Sequence, residues 1–175
     1  MKKTQDSNAP PLHHSSCRIT IVSGGQTGAD RAALDWALEH NVPCGAWCPK
    51  GWKAEDGPID PKYPLKETPS SSYLQRTEWN VRDSDATVLF SIESALTGGS
   101  NKTVEFARKH KKPNLHLCAG DKAAAEKLRA FVVEHRVKVL NVAGPRASKG
   151  PGVGDFVMGT LQMAFGQITR MDQGC

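Results

Sequence analysis

The stretch Ile19-Thr20-Ile21-Val22-Ser23-Gly24-Gly25-Gln26-Thr27-Gly28-Ala29-Asp30-Arg31 decides how this chain is read. Ile19–Val22 is a short β-branched run, the composition of a buried strand, and it ends in a glycine turn. Apolar residues then recur at Ala29, Ala32, Ala33, Trp36 and Ala37, a helical spacing that carries through His40. A strand that passes through glycines into a helix is the opening of a β-α-β unit. Such units build parallel sheets covered on both faces.

The same alternation continues outward from that stretch. Pro43–Trp47 reads as a second strand, a helix is expected from about Ser72 to Asp83, and Ala86–Phe90 reads as a third strand. Thr103–His110 is expected to be helical and Asn114–Leu117 to be the fourth strand. Asp121 can cap a helix reaching His135, Val137–Val142 makes a fifth strand, and a last helix is expected over Gly154–Thr169. The expected fold is therefore α/β: one Rossmann-like, doubly wound, mainly parallel sheet of about five or more strands, with helices on both faces. Right-handed crossovers bring every strand-to-helix loop to one edge, where such sheets bind ligands. With the strands ordered 2-1-3-4-5, the first and third would flank the point where the order reverses. No internal repeat is visible.

With 175 residues the chain has room for a single domain with one core. Residues 1–16 hold little to bury and read as a disordered tail, leaving 17–175 as the Rossmann-like ligand-binding domain. No apolar run reaches the roughly 18–20 residues of a membrane helix. No apolar stretch follows Lys2 and Lys3, so a cytoplasmic protein is expected. The net charge of +5 is spread along the chain, with one cluster at Arg108–Lys112 that suits a helix C-terminus. That distribution argues against nucleic acid as a partner. The five cysteines lack the spacing of a disulfide framework or a zinc site. Mean hydropathy is −0.46.

Chemistry concentrates in the loops of that one edge. Glycine permits positive φ and close backbone approach, and a helix starting at Gly28 or Ala29 would aim free N–H groups and its dipole at an anion. The first loop therefore offers Gly24, Gly25, Gln26, Thr27, Gly28 and Asp30. It matches neither the dinucleotide fingerprint nor a Walker loop, since no Gly-Lys-Ser/Thr follows. The loop Thr97-Gly98-Gly99-Ser100-Asn101-Lys102-Thr103 leads from the third strand in the same manner and adds Gly98, Gly99, Ser100 and Thr103. Ala143–Gly152 supplies Arg146, Ser148 and Lys149, a guanidinium fork and an ammonium suited to oxyanions. Cys48–Ser71 is a 24-residue stretch with five prolines and no periodicity, expected to be a lid or interface. Its adjacent Glu55 and Asp56 are too close in sequence to suggest an acid/base pair. After it, Tyr73, Arg76, Asn80 and Asp83 share one polar stripe of a helix.

Together, Gly24–Arg31, Cys48–Gly51 with Ala54–Gly57, Arg76-Thr77-x-x-Asn80-Val81-x-Asp83-Ser84-Asp85, Gly98-Gly99-Ser100 with Thr103, and Leu140–Arg146 resemble the molybdenum cofactor carrier family. That family lies within the Rossmann-like nucleotide-binding proteins that include the lonely-guy enzymes. The resemblance covers about residues 18–170. It implies a binding protein that stores or delivers molybdenum cofactor, a phosphate-bearing pterin, as cargo and not as a catalytic group. It also implies a homo-oligomer that serves molybdoenzymes or cofactor-synthesis proteins. On this reading the two glycine loops take the anion, helped by Thr27, Thr103, Arg146 and Lys149, while Arg76 and Asn80 line the adjoining wall. No catalytic residue and no protein-bound metal are expected.

The lonely-guy relatives imply an alternative, hydrolysis of nucleoside monophosphates through a loop P-G-G-x-G-T-x-x-E. Here the two glycines and Glu105 fall in register, whereas the proline, third glycine and threonine do not. A third reading is a nucleotide-sensing module.

Overall fold

The computed structural model describes residues 19–171. The tail expected at 1–16 lies outside the described residues. In chain order the elements are β1 Thr20–Val22, α1 Ala29–Glu39, β2 Cys44–Cys48, β3 Lys53–Ala54, β4 Gly57–Pro58, β5 Leu65–Glu67 and α2 Tyr73–Arg82. There follow β6 Ala86–Ser91, α3 Gly98–Lys109, β7 Asn114–Cys118, α4 Ala124–Glu134, β8 Val139–Ala143 and α5 Val153–Met171.

Six strands form one parallel sheet in the order β5-β2-β1-β8-β6-β7, and β3 and β4 form a separate small antiparallel hairpin. The crossovers β1→β2 and β7→β8 run one way along the sheet, whereas β5→β6 and β6→β7 run the other. Right-handed crossovers in opposite directions put their helices on opposite faces. Accordingly α5 packs on both α1 and α4, and α2 packs on α3. The fold is the expected Rossmann-like α/β sandwich.

The strand order differs from 2-1-3-4-5. The last strand, β8, lies between β1 and β6, with Ile21 opposite Leu140 and Val88 opposite Val142. Leu140 and Val142 are fully buried, as a central position requires. Asn141 is tolerated there because its amide donates to Thr87 Oγ1 on β6 at 3.1 Å.

Two further departures concern element limits. The proline-rich segment 48–71 carries the hairpin and the sheet's edge strand, β5. There, Leu65 packs with Leu34, Cys48, Ile59 and Tyr63, and the Tyr63 hydroxyl donates to Asp35 at 2.8 Å. And α3 begins at Gly98, five residues ahead of the expected start at Thr103, so Gly98-Gly99-Ser100 is the helix's first turn and not a loop before it. The main core joins Ile21, Val88, Phe90 and Leu140 of the sheet to Trp36, Leu128, Val157, Leu161 and Phe165 of the helices. Among the described residues no helix is long and apolar enough to cross a membrane.

Candidate functional site

A cavity of about 590 Å³ opens at the carboxyl ends of β1, β6 and β8. Its size suits a small organic ligand. Of the residues singled out from sequence, Gln26, Asp30, Arg76, Asn80, Gly98, Gly99, Ser100, Thr103, Arg146 and Lys149 line it. Gly24, Gly25, Thr27, Gly28 and Ser148 lie behind the wall and do not.

One side of the cavity is the N-terminus of α3. Gly98 has φ +51, a conformation glycine accepts cheaply, and a Cβ on Gly98 or Gly99 would meet nothing within 4 Å. The N-cap Thr97 makes no side-chain cap bond. Ser100 N–H donates to Thr97 O at 3.1 Å, whereas the N–H groups of Gly98 and Gly99 are left without the usual hydroxyl acceptor, and the positive end of the helix dipole faces open space. Thr103 is turned inward, donating to the Gly99 carbonyl at 3.1 Å. Arg146 and Lys149 add cations at the rim.

On the floor, Arg76 Nη1 donates to Asp30 at 2.8 Å, with side chains only 12% and 6% exposed. Burial pushes the Asp30 carboxyl above the ordinary range, against the lowering influence of Arg76. The guanidinium lies against Gly24, where a Cβ would fall 2.0 Å from Nη1. Arg76 Nε is buried and has no partner in the protein. Beside it, Tyr73, Leu74, Ile92 and Leu96 give the cavity an apolar side. Asn80 borders the cavity, but its amide is spent on the main chain of β2: Trp47 N–H donates to it at 2.8 Å and it donates to Trp47 O at 3.1 Å. Asp83, from the same stripe, instead accepts from Trp47 Nε1 at 2.8 Å.

The first glycine loop is used differently from the expectation that its amides face an anion. Thr27 N–H donates to Gln26 Oε1 at 3.0 Å, and Ala29 N–H, at the start of α1, donates to Pro145 O at 3.3 Å. A Cβ on Gly25 would press Leu65 at 2.7 Å, and one on Gly28 would press Pro145 O at 2.6 Å. These glycines let the chain pack closely; α1 is capped by the protein itself, while α3 is left open.

Glu55, set aside in the sequence reading, is the hub behind the wall. Its carboxylate accepts from the Thr27 hydroxyl, from Ser148 N–H at 3.2 Å and from the Ser148 hydroxyl at 2.5 Å. These bonds, with the Ser148 hydroxyl foremost, hold its carboxyl below the ordinary range. Ser91 was also missed. It lines the cavity at the end of β6, donates to the Glu93 carbonyl at 2.5 Å, and lies 2.7 Å from His116 Nε2. Burial holds His116 below its usual pKa, in favour of the neutral ring. No local pattern in the sequence announces either group, because His116 is 25 residues from Ser91 and Ser148 is 93 from Glu55.

Glu105 is not brought to the cavity. It projects from the exposed side of α3, paired with Lys102 at 2.7 Å. Because α3 starts at Gly98, Glu105 is two turns down the helix from the open end. Among the described residues no group of three or more His, Cys, Asp or Glu side chains is placed to hold a metal ion.

No curated protein matches the sequence. A crystal structure from Syntrophus aciditrophicus SB, of a protein bearing the name "putative molybdenum carrier protein", superposes with a TM-score of 0.81 at 46% identity. That match covers 84% of this chain and 95% of the other. The profile of the circularly permutated YpsA SLOG family matches residues 21–165, which hold all of the sheet but Thr20, the hairpin and every residue lining the cavity. The chain belongs to the circularly permutated YpsA SLOG family.

Proposed function

We propose that this protein binds a phosphate-bearing ring compound of molybdopterin type and stores or delivers it, with no chemistry of its own on the cargo. The observation that carries the reading is Arg76. It is a cation at the floor of a cavity, fixed by one nitrogen to Asp30, with its Nε buried and unpaired. With Nη1 engaged by Asp30, the guanidinium lining the cavity is of the kind that suits a planar or phosphate oxyanion. The open first turn of α3, with Arg146 and Lys149, would receive the same anion, and the apolar side at Tyr73 and Leu74 would take a ring. The name of the 46% identical neighbour points to molybdenum.

Mass spectrometry and metal analysis of the protein purified from its native host test this. A co-purified pterin phosphate, with protection of added cofactor from oxidation, is the expected result. A bound nucleoside monophosphate released as base and ribose 5-phosphate would overturn it in favour of a hydrolase. A nucleotide bound and left intact would favour a sensor.

A further inference from the structure

We infer that Glu55 is a positioning residue: from behind the cavity wall it seats the turn that presents Arg146 and Lys149 to the ligand. This rests on the cavity being an anion site. The turn is closed by Lys149 N–H and Gly150 N–H, which both donate to Arg146 O, at 2.9 and 3.0 Å. Its two middle residues, Ala147 and Ser148, carry the attachment. Ala147 N–H donates to Thr27 Oγ1 at 3.1 Å, and that hydroxyl spends its single proton on Glu55 Oε1. Ser148 donates twice to the same carboxylate, from its N–H and its hydroxyl. One carboxylate therefore fixes both middle residues, one directly and one through Thr27. A carboxylate has two acceptor oxygens and no proton of its own, so it can take all three donors at once.

Glu55 is itself held firmly. Its N–H donates to Gln26 Oε1 at 2.9 Å, and its neighbour Asp56 is gripped by both terminal nitrogens of Arg31, at 2.5 and 3.2 Å. Gly28 completes the seat, since a Cβ there would strike Ala147 N at 2.7 Å. The carboxylate also lies 3.9 Å from Arg146 Nε, close enough to orient a side chain that is otherwise 47% exposed. Arg146 and Lys149 thus face the cavity while the residues between them are bound on the other side.

The test uses the full chain, inorganic phosphate as probe, and hydrogen exchange of the 145–150 segment. Hydrogen bonds to a charged acceptor are worth enough that Glu55→Ala is expected to weaken phosphate binding about tenfold. Exchange in 145–150 rises in that variant while β6 and α5 keep their protection. Glu55→Gln retains one acceptor oxygen and restores much of both. In an Arg146→Ala/Lys149→Ala background, Glu55→Ala has no further effect on phosphate. Should Glu55→Ala fail to fold, Ser148→Ala, which removes one bond of the set, gives a smaller loss of the same kind. Unchanged protection of 145–150 in Glu55→Ala overturns the proposal, as does an equal loss of affinity when both cations are already gone. If the unsubstituted protein takes no phosphate, the anion reading of the cavity fails, and the exchange data still decide whether Glu55 seats the turn.

Discussion

Asp30 and Arg76 meet at 2.8 Å on the floor of the cavity, one from the first turn of α1 and the other from the first turn of α2, on opposite faces of the sheet. The pair spans the carboxyl edge of β1 and leaves a cation facing the cavity. Breaking such a pair costs more than forming it gains, because one buried charge is left alone.

Arg76→Ala is therefore expected to destabilise the fold by about 3–5 kcal/mol at neutral pH, read from urea unfolding. The penalty has a predictable pH dependence. Burial already raises the folded Asp30 pKa above its unfolded value, and removing Arg76 removes its chief lowering influence. The native state then binds the proton more tightly than the unfolded state, so stability falls as pH rises through that window. Acidification should recover part of the loss. A destabilisation of equal size at pH 5 and pH 8 would show that Asp30 is not the group left stranded.

Gly24→Ala tests the seat of the same guanidinium. A methyl group at this position would lie 2.0 Å from Arg76 Nη1 and 2.6 Å from its Cδ. The side chain must shift to make room, straining its pair with Asp30, at a cost of about 1–3 kcal/mol for an overpacked site. Most of that cost should vanish in an Arg76→Ala background, since the three nearest atoms, all within 2.6 Å, belong to Arg76. Additive effects in the double-mutant cycle would exclude this account.

Asn80 offers a third test, because its amide reproduces a peptide group for the main chain of Trp47. Asn80→Asp keeps the size but exchanges the donor for an acceptor facing Trp47 O. A buried unpaired carbonyl and a buried carboxylate together should cost about 2–4 kcal/mol by chemical denaturation. A loss confined to ligand affinity, with stability unchanged, would mean that Asn80 serves the ligand and not β2.

The elements themselves were legible in the sequence, since β-branched runs and helical spacing are local signals. β1, β2, β6, β7 and β8 fall within two residues of their expected limits. The strand order was not legible, because no periodicity says that β8 slips between β1 and β6. β5 was missed for a related reason. Leu65-Lys66-Glu67 has one buried residue in three and is a strand only because β2 is beside it. In the site, the glycines of the first loop announced a close approach correctly, but the partner is protein: Arg76, Leu65 and the 145–147 backbone. The Glu55 hub depends on contacts 28 and 93 residues away, beyond any motif.

The first turn of α3 separates a binding role from a structural one most cleanly. A Cβ on Gly99 meets nothing within 4 Å, and Gly99 is not among the glycines with positive φ. Valine is also no worse than glycine as a helix former. Gly99→Val should therefore unfold within about 1 kcal/mol of the unsubstituted protein, yet place a branched side chain at the open amides beside the cavity. Phosphate affinity should fall severalfold while the melting temperature holds. Glu105→Gln is the matched control on the same helix: its pair with Lys102 is 55% exposed on the acid's side, and such pairs contribute about 1 kcal/mol or less. It should change neither stability nor affinity. If Glu105→Gln abolished binding and Gly99→Val did not, the ligand would sit on the outer side of α3, and the cavity at the end of β6 would lose its claim to be the site.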